Sequence, residues 1–278
     1  MPDKIISYYN ETWQADALAT GQLVMEIGSN DMICLVKGDA SQEIEGFEMF
    51  SLDKESGDWN EAFYELRAIS RLLNRNYLTT HCYYNVEEAI MIPGERFTAS
   101  AADDYLSLIY GESARHEFQY ELIGENEKMV NAYRISRSIH ERVGRHFVSY
   151  KPHHSYTSLV KDVLERTEPS DHFIKVQFYS HHIIAAIVKH NQLQLIQSFH
   201  YETPEDILYH LVNINRQFEL NPAYSHLEVS GMFETGSELH IQLQSLYGLI
   251  TLDSMKPDGV FTGQYPAHYF TPFYKLVV

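Results

Sequence analysis

Leu23-Val24-Met25-Glu26-Ile27-Gly28-Ser29-Asn30-Asp31-Met32-Ile33-Cys34-Leu35-Val36 holds two apolar runs around a break of small and polar residues. Short apolar runs bounded by turn formers read as strands, and this pair reads as a hairpin. Ile44 to Leu52 gives a third strand. Asp58 then opens a helix, with Glu61 completing a capping box. Trp59, Phe63, Leu66, Ile69 and Leu73 share one face of it at helical spacing.

The same order returns later in the chain. Phe173 to Tyr179 and Ile183 to Val188 form a strand pair broken by Ser180-His181-His182, and Leu193 to Tyr201 is the third strand. Thr203 caps a helix with Pro204 at its first position, and Ile207, Leu211, Ile214 and Phe218 form its apolar face. Leu227 to Val229 is a strand ending at Ser230-Gly231. A helix is expected over Gly236 to Tyr247, although Leu239, Ile241 and Leu243 also alternate as a strand would, and Leu249 to Leu252 is a last strand. The third strands are offset by about 149 positions (Ile44 against Leu193) and the helices by about 146 (Asp58 against Pro204). Both copies therefore read as strand, strand, strand, helix, strand, helix, strand. A repeat of this size predicts two similar halves, one over residues 1–150 and one over 151–278, and clefts between such halves are where ligands sit.

The segments outside the repeat are less regular. Residues 1–20 read as an irregular lead-in with a short helix. Strands at Thr79–Tyr84 and Ala89–Ile92, a helix from Thr98 to Tyr110 and a hairpin from Phe118 to Ile135 enlarge the first half by an insertion. Ser136 to Arg145 reads as helix, Phe147 to Tyr150 as extended, Ser155 to Arg166 as helix and Thr167 to Asp171 as a linker. The tail from Pro257 is rich in aromatics (Tyr265, His268, Tyr269, Phe270, Phe273, Tyr274), which either seal a core or form an interface.

With 278 residues and a net charge of -17, the chain lacks the clustered Lys and Arg that nucleic acid or an anionic membrane surface requires. There is neither a secretory leader pattern nor an apolar run of about 18 residues, so a cytoplasmic protein with no membrane span is expected. Cys34 and Cys82 lie in strands and read as buried thiols, with a disulfide left open. His153-His154 and His181-His182 are adjacent pairs. Neighbours on a strand point to opposite faces, so the 15 histidines read as scattered surface residues and no metal site is expected. No phosphate loop of the Gly-x-x-x-x-Gly-Lys-Ser/Thr type, no Gly-x-Gly-x-x-Gly and no Gly-x-Ser-x-Gly occurs, and no catalytic residue is assigned.

The doubled order is similar to the actin-like ATPase (ribonuclease H-like) fold, an α/β fold of two βββαβα-type halves around a cleft. Within it the chain resembles a bacterial, Bacteroidetes-type family of unknown function. The hairpin over residues 23–34, Ala89-Ile90-Met91-Ile92-Pro93, and His154-Ser155 leading into Leu159-Val160 carry that resemblance. It implies three nucleotide elements. The first is a phosphate hairpin with a Mg²⁺-holding Asp, matched here by Glu26-Ile27-Gly28-Ser29, where the acid is one methylene longer. The second is a glycine-bearing hairpin in the other half, where this chain has Tyr179-Ser180-His181-His182 and no glycine. The third is a glycine-rich adenosine loop, matched partly by Ser230-Gly231 through Gly236-Ser237. The resemblance thus leaves Glu26, Gly28, Ser29 and Gly231 as vestiges of a cofactor site. It also implies a scaffold with a protein partner and no bound cofactor. The alternative is a Mg-ATP switch or weak ATPase using the cleft.

Overall fold

The computed structural model describes residues 2–10, 21–39, 43–52, 59–124, 128–166, 172–255 and 265–277. Asp58 of the expected capping box and the expected linker 167–171 lie outside them. In chain order the elements are β1 (Asp3–Tyr9), β2 (Gln22–Gly28), β3 (Asp31–Lys37), β4 (Ile44–Ser51), α1 (Trp59–Ile69), β5 (Thr79–Asn85), β6 (Ala89–Pro93), α2 (Ala102–Tyr110), β7 (His116–Ile123), β8 (Met129–Ser136), α3 (Arg137–His146), β9 (Tyr150–His154) and α4 (Ser155–Leu164). There follow β10 (His172–Phe178), β11 (His182–Lys189), β12 (Gln192–His200), α5 (Pro204–Gln217), β13 (His226–Gly231), α6 (Glu238–Leu246), β14 (Leu249–Leu252) and α7 (Thr271–Tyr274). The chain divides into two compact units, and the division falls within α4, after Thr157.

The first unit holds a sheet ordered β1-β4-β3-β2-β5-β9, antiparallel from β1 to β2 and parallel from β2 to β9. An inserted sheet ordered β6-β8-β7 carries α2, with Ile92, Leu106 and Ala132 as its small core. The second unit holds a sheet ordered β12-β11-β10-β13-β14, antiparallel from β12 to β10 and parallel from β10 to β14. Without β1, the first sheet repeats the second strand for strand.

Alternation explains the second core. Ile174, Val176 and Phe178 on β10, Ile183, Ala185 and Ile187 on β11, and Leu227 and Val229 on β13 share one face with Ile207, Leu211 and Ile214 of α5 and Leu239 and Leu243 of α6. The segment 236–247 settles as a helix because Ser237 caps it, accepting the His240 N–H. Thr203 and Asp206 form a full capping box at α5, with Pro204 in the first turn.

Three expectations need correction. The lead-in is not irregular throughout, since Asp3–Tyr9 is a strand paired antiparallel to β4. At this edge position Ile6 is its one buried hydrophobic residue, which blurs the alternation. The first long helix stops at Ile69 and does not reach Leu73. There Ser70 Oγ accepts the N–H groups of Leu72 and Leu73, and the Glu48 carboxylate accepts those of Arg71 and Leu72. The extended piece after α3 lies at Tyr150–His154, because parallel pairing with β5 sets its position (Thr80 with Tyr150, Tyr84 with His154) and its own Tyr-Lys-Pro-His-His pattern is not apolar.

Cys34 and Cys82 are free and buried. Both flank Met25, from β3 on one side and β5 on the other. Two strand spacings, roughly 10 Å, separate them, which is beyond disulfide reach.

Candidate functional site

The expected phosphate hairpin is the β2–β3 turn. Glu26 lies on β2 between Ile33 and Tyr83 and is 2 % exposed. Ser155 Oγ, at the start of α4, donates to Glu26 Oε1 at 2.5 Å. The carboxylate is thus engaged inside the unit and does not stand at the turn. Gly28 and Asp31 flank the two turn residues; Ser29 is exposed and Asn30 is buried. A β-carbon on Gly28 would meet nothing nearer than Asp31 O at 3.5 Å, so packing does not demand glycine there.

In the second unit Phe178 takes the place of Ile27, each paired to the first core residue of the next strand (Ile183 and Met32). Tyr179 therefore stands where Gly28 does. It is 2 % exposed, its ring stacks on His182 at 4.6 Å and meets the edge of Phe273 at 6.0 Å. Its backbone is occupied as well: Tyr179 N–H donates to His182 O at 3.0 Å, and Tyr201 O–H donates to Tyr179 O at 2.5 Å. A phosphate cradle requires bare, outward N–H groups, and this turn presents a covered aromatic ring.

Gly231 ends β13 with φ of +81°. A β-carbon there would lie 2.2 Å from Phe178 O, and Met232 N–H donates to that same oxygen at 2.9 Å. Packing of β13 against β10 thus accounts for this glycine without any ligand. Beyond it, Phe233 is 1 % exposed and packs on Phe178 and His240. His268 Nε2–H donates to Phe233 O at 2.8 Å. Open α/β sheets take ligands at the carboxyl ends of parallel strands. In this unit those ends, at Phe178 and Gly231, are covered by His268 and Phe273 from the tail. Phe270, Phe273 and Tyr274 are each 2 % exposed, so these tail aromatics are core.

Histidine departs most from expectation. His154, His182 and His268 are buried. His154 Nδ1 accepts the Tyr156 N–H at 3.0 Å and Nε2–H donates to Val86 O at 3.1 Å, which makes it a neutral cap of α4. Burial pushes its pKa down to about 4, and burial with His200 and His181 nearby does the same to His182.

Sequence reasoning missed three polar clusters, because each joins residues far apart in the chain. Glu121 of the insertion accepts from His153 Nδ1–H (2.8 Å), the His154 N–H (2.8 Å) and Thr157 Oγ1 (2.7 Å), and His153 Nε2 meets His81 Nδ1 at 2.9 Å. Burial would raise the Glu121 pKa, but these bonds bring it below the usual range. Glu48, 0 % exposed, accepts from Lys4 Nζ (2.7 Å), Ser70 Oγ (2.5 Å) and Tyr9 O–H, which outweigh burial and lower its pKa. Lys175, 1 % exposed, is held by Asp162, Glu228 (2.9 Å) and Asp253, and Lys275 joins Asp162 (2.6 Å) and Asp253 (2.7 Å). Burial would lower the Lys175 pKa, but the three carboxylates hold it above its ordinary value. Among the described residues no group of three or more His, Cys, Asp or Glu side chains could hold a metal ion. No helix among them is long and apolar enough to cross a membrane.

A family model described as "Protein of unknown function (DUF3822)" matches residues 10–247. No curated protein matches. A solved protein from Bacteroides thetaiotaomicron, described as having an actin-like ATPase fold and unknown function, aligns with a TM-score of 0.78 at 15% identity over 94% of this chain and 96% of that one. The PilM-PilN type IV pilus biogenesis complex aligns at 0.54 and 10% identity, over 94% and 98%. The ethanolamine utilization protein EutJ from Carboxydothermus hydrogenoformans aligns at 0.48 and 9%, over 92% and 89%. At such identities the likeness concerns the fold, which is the actin-like one.

Proposed function

We propose that this chain, which belongs to the family described as protein of unknown function (DUF3822), is a non-catalytic interaction protein that keeps an actin-like fold and does not use it to hold nucleotide. The observation that carries this reading is Tyr179. Where the first unit has Gly28, the second has a buried ring stacked on His182 and sealed by Phe273. Two further points support it. Gly231 is taken up by its own neighbour strand, and Glu26 is bonded to Ser155. These residues do not suit Mg-ATP. The pilus complex is an instance of the fold working within a protein assembly, and a protein partner is the role left to this one. Two buried free thiols suit the reducing bacterial cytoplasm.

The test is calorimetric titration of the purified protein with Mg-ATP, with phosphate release followed in parallel. No saturable heat and no turnover are expected; saturable binding with phosphate release would end this reading. One observation favours the rival, a nucleotide switch: Gly28 is a glycine the fold does not require, beside an exposed Ser29. The switch predicts ATP binding that Gly28→Val removes.

A further inference from the structure

Within the first unit Glu121 is the inner end of a straight relay of two imidazoles. His153 Nδ1–H donates to Glu121 Oε1 at 2.8 Å, and His153 Nε2 meets His81 Nδ1 at 2.9 Å. The planes of the two rings differ by 6° and their centroids lie 5.1 Å apart. A nitrogen pair at 2.9 Å is closer than two stacked ring faces can come. The rings therefore meet edge to edge, with the hydrogen bond lying along their common plane. Tyr83 covers a face of His153, with centroids 4.9 Å apart.

This arrangement fixes the protons. Hydrogen bonds hold the Glu121 pKa below its usual range, so the carboxylate is ionised and only accepts. His153 therefore carries its proton on Nδ1 and has a lone pair on Nε2. His81 fills that lone pair with its own Nδ1–H, which leaves a lone pair on His81 Nε2. His81 is partly exposed, and among the described residues no protein group bonds to that nitrogen, which reaches solvent. Burial, His153 and Lys151 hold the His81 pKa below its ordinary value, so the ring is neutral at about pH 7. Lys151 is exposed and is the register partner of His81 on β9, so both side chains leave the same face of the sheet. Salt screens the chain's remaining acids beyond about 8 Å, and the adjacent cation favours an anionic reactant.

We infer that His81 Nε2 is a phosphoryl-acceptor site, taking the group from a small activated donor of the phosphoramidate class. A nucleophile in contact with a base, which a third group orients, is the arrangement that activates such an atom. The Nε2 lone pair attacks phosphorus and an N–P bond forms. The donor's own P–N bond breaks, and the amine leaves with that electron pair as ammonia. The His81 Nδ1 proton passes to His153 Nε2, so the phosphorylated ring ends neutral and the positive charge rests beside Glu121. The site involves neither Gly28 nor Gly231, and it stands whether or not nucleotide binds.

The native protein is incubated with potassium phosphoramidate, and tandem mass spectrometry in alkaline solution, where the N–P bond survives, locates the modified histidines. His81 should react at least about tenfold faster than any other of the 15 histidines. Glu121→Gln keeps an acceptor for His153 and removes the charge, so the His81 rate should fall about tenfold while the other histidines keep theirs. Lys151→Met should slow the phosphoramidate reaction and leave that with neutral diethyl pyrocarbonate unchanged. If Glu121→Gln loses its native circular dichroism, His153→Gln, which keeps the carboxylate in place, decides by the same fall. Equal reaction across the histidines, a His81 rate indifferent to the loss of Glu121 or His153, or one indifferent to Lys151→Met overturns the inference.

Discussion

The ladder β2–β3–β4 and the ladder β10–β11–β12 correspond residue for residue, yet they bury opposite charges. Met25, Cys34 and Glu48 stand side by side in the first, and Val176, Ala185 and Gln197 in the second. Glu48 is fully buried, while Gln197 is exposed on an edge strand. The second ladder places its buried charge two strands over, on β10, and of the other sign, at Lys175. In both, a lysine from a segment outside the ladder completes the cluster: Lys4 of β1 reaches Glu48, and Lys275 beyond α7 reaches Asp162 and Asp253. The shared apolar alternation builds the ladder, and the differing charges fix which flanking segment docks on each copy.

The largest test of that contrast is Lys175→Met. It leaves three carboxylates around an empty place and should cost about 3–5 kcal/mol in urea unfolding. A cost near zero would mean that the cluster contributes nothing to docking. Next comes the glycine pair. Gly231→Ala should cost about 2–4 kcal/mol, from a strained φ and a collision with Phe178 O. Gly28→Ala, its neighbours at ordinary contact distance, should stay within about 1 kcal/mol, and equal costs would break the comparison. The histidines sharpen it on a smaller scale, one in each unit. His154 and His182 stay neutral in the fold to about pH 4 but protonate near their ordinary pKa when unfolded. Their contribution is complete above about pH 6.5 and is lost as pH falls toward 4, by up to about 1.4 kcal/mol per pH unit each. His154→Asn keeps an acceptor for the Tyr156 N–H, so denaturation midpoints measured between about pH 7 and 4.5 should fall less steeply for it than for the native chain. The smallest expected effect is that of Mg-ATP on the melting temperature, with no shift in either the native protein or Gly28→Val.

Elements with strong periodicity were legible in the sequence. Both hairpins, the third strands, α5 with its Thr203 cap and the insertion hairpin follow from alternation and turn chemistry. β1 and β9 were not, because Ile6 is the one buried hydrophobic residue of β1 and Tyr-Lys-Pro-His-His of β9 carries no apolar alternation. The candidate site was legible only as positions. Sequence marks Glu26, Gly28, Ser29 and Gly231, but whether a glycine serves a ligand or a neighbouring strand is a matter of distance, as Phe178 O shows for Gly231. Lys175 sits in His-Phe-Ile-Lys-Val-Gln-Phe, where alternation alone would turn it toward solvent. Its three acids lie on α4, on β13 and just past β14, and nothing local announces them.

The Glu121 cluster has a consequence for engineering the first unit. The insertion looks like an optional extra looped out of β5, since the second sheet closes without one. Its carboxylate nevertheless receives the His154 N–H at the end of β9 and the Thr157 hydroxyl in the first turn of α4, together with the ring of His153. A trimmed chain joining Val86 directly to α3 would leave those donors with no acceptor. Any shortened version must therefore bring a replacement anion to the start of that helix.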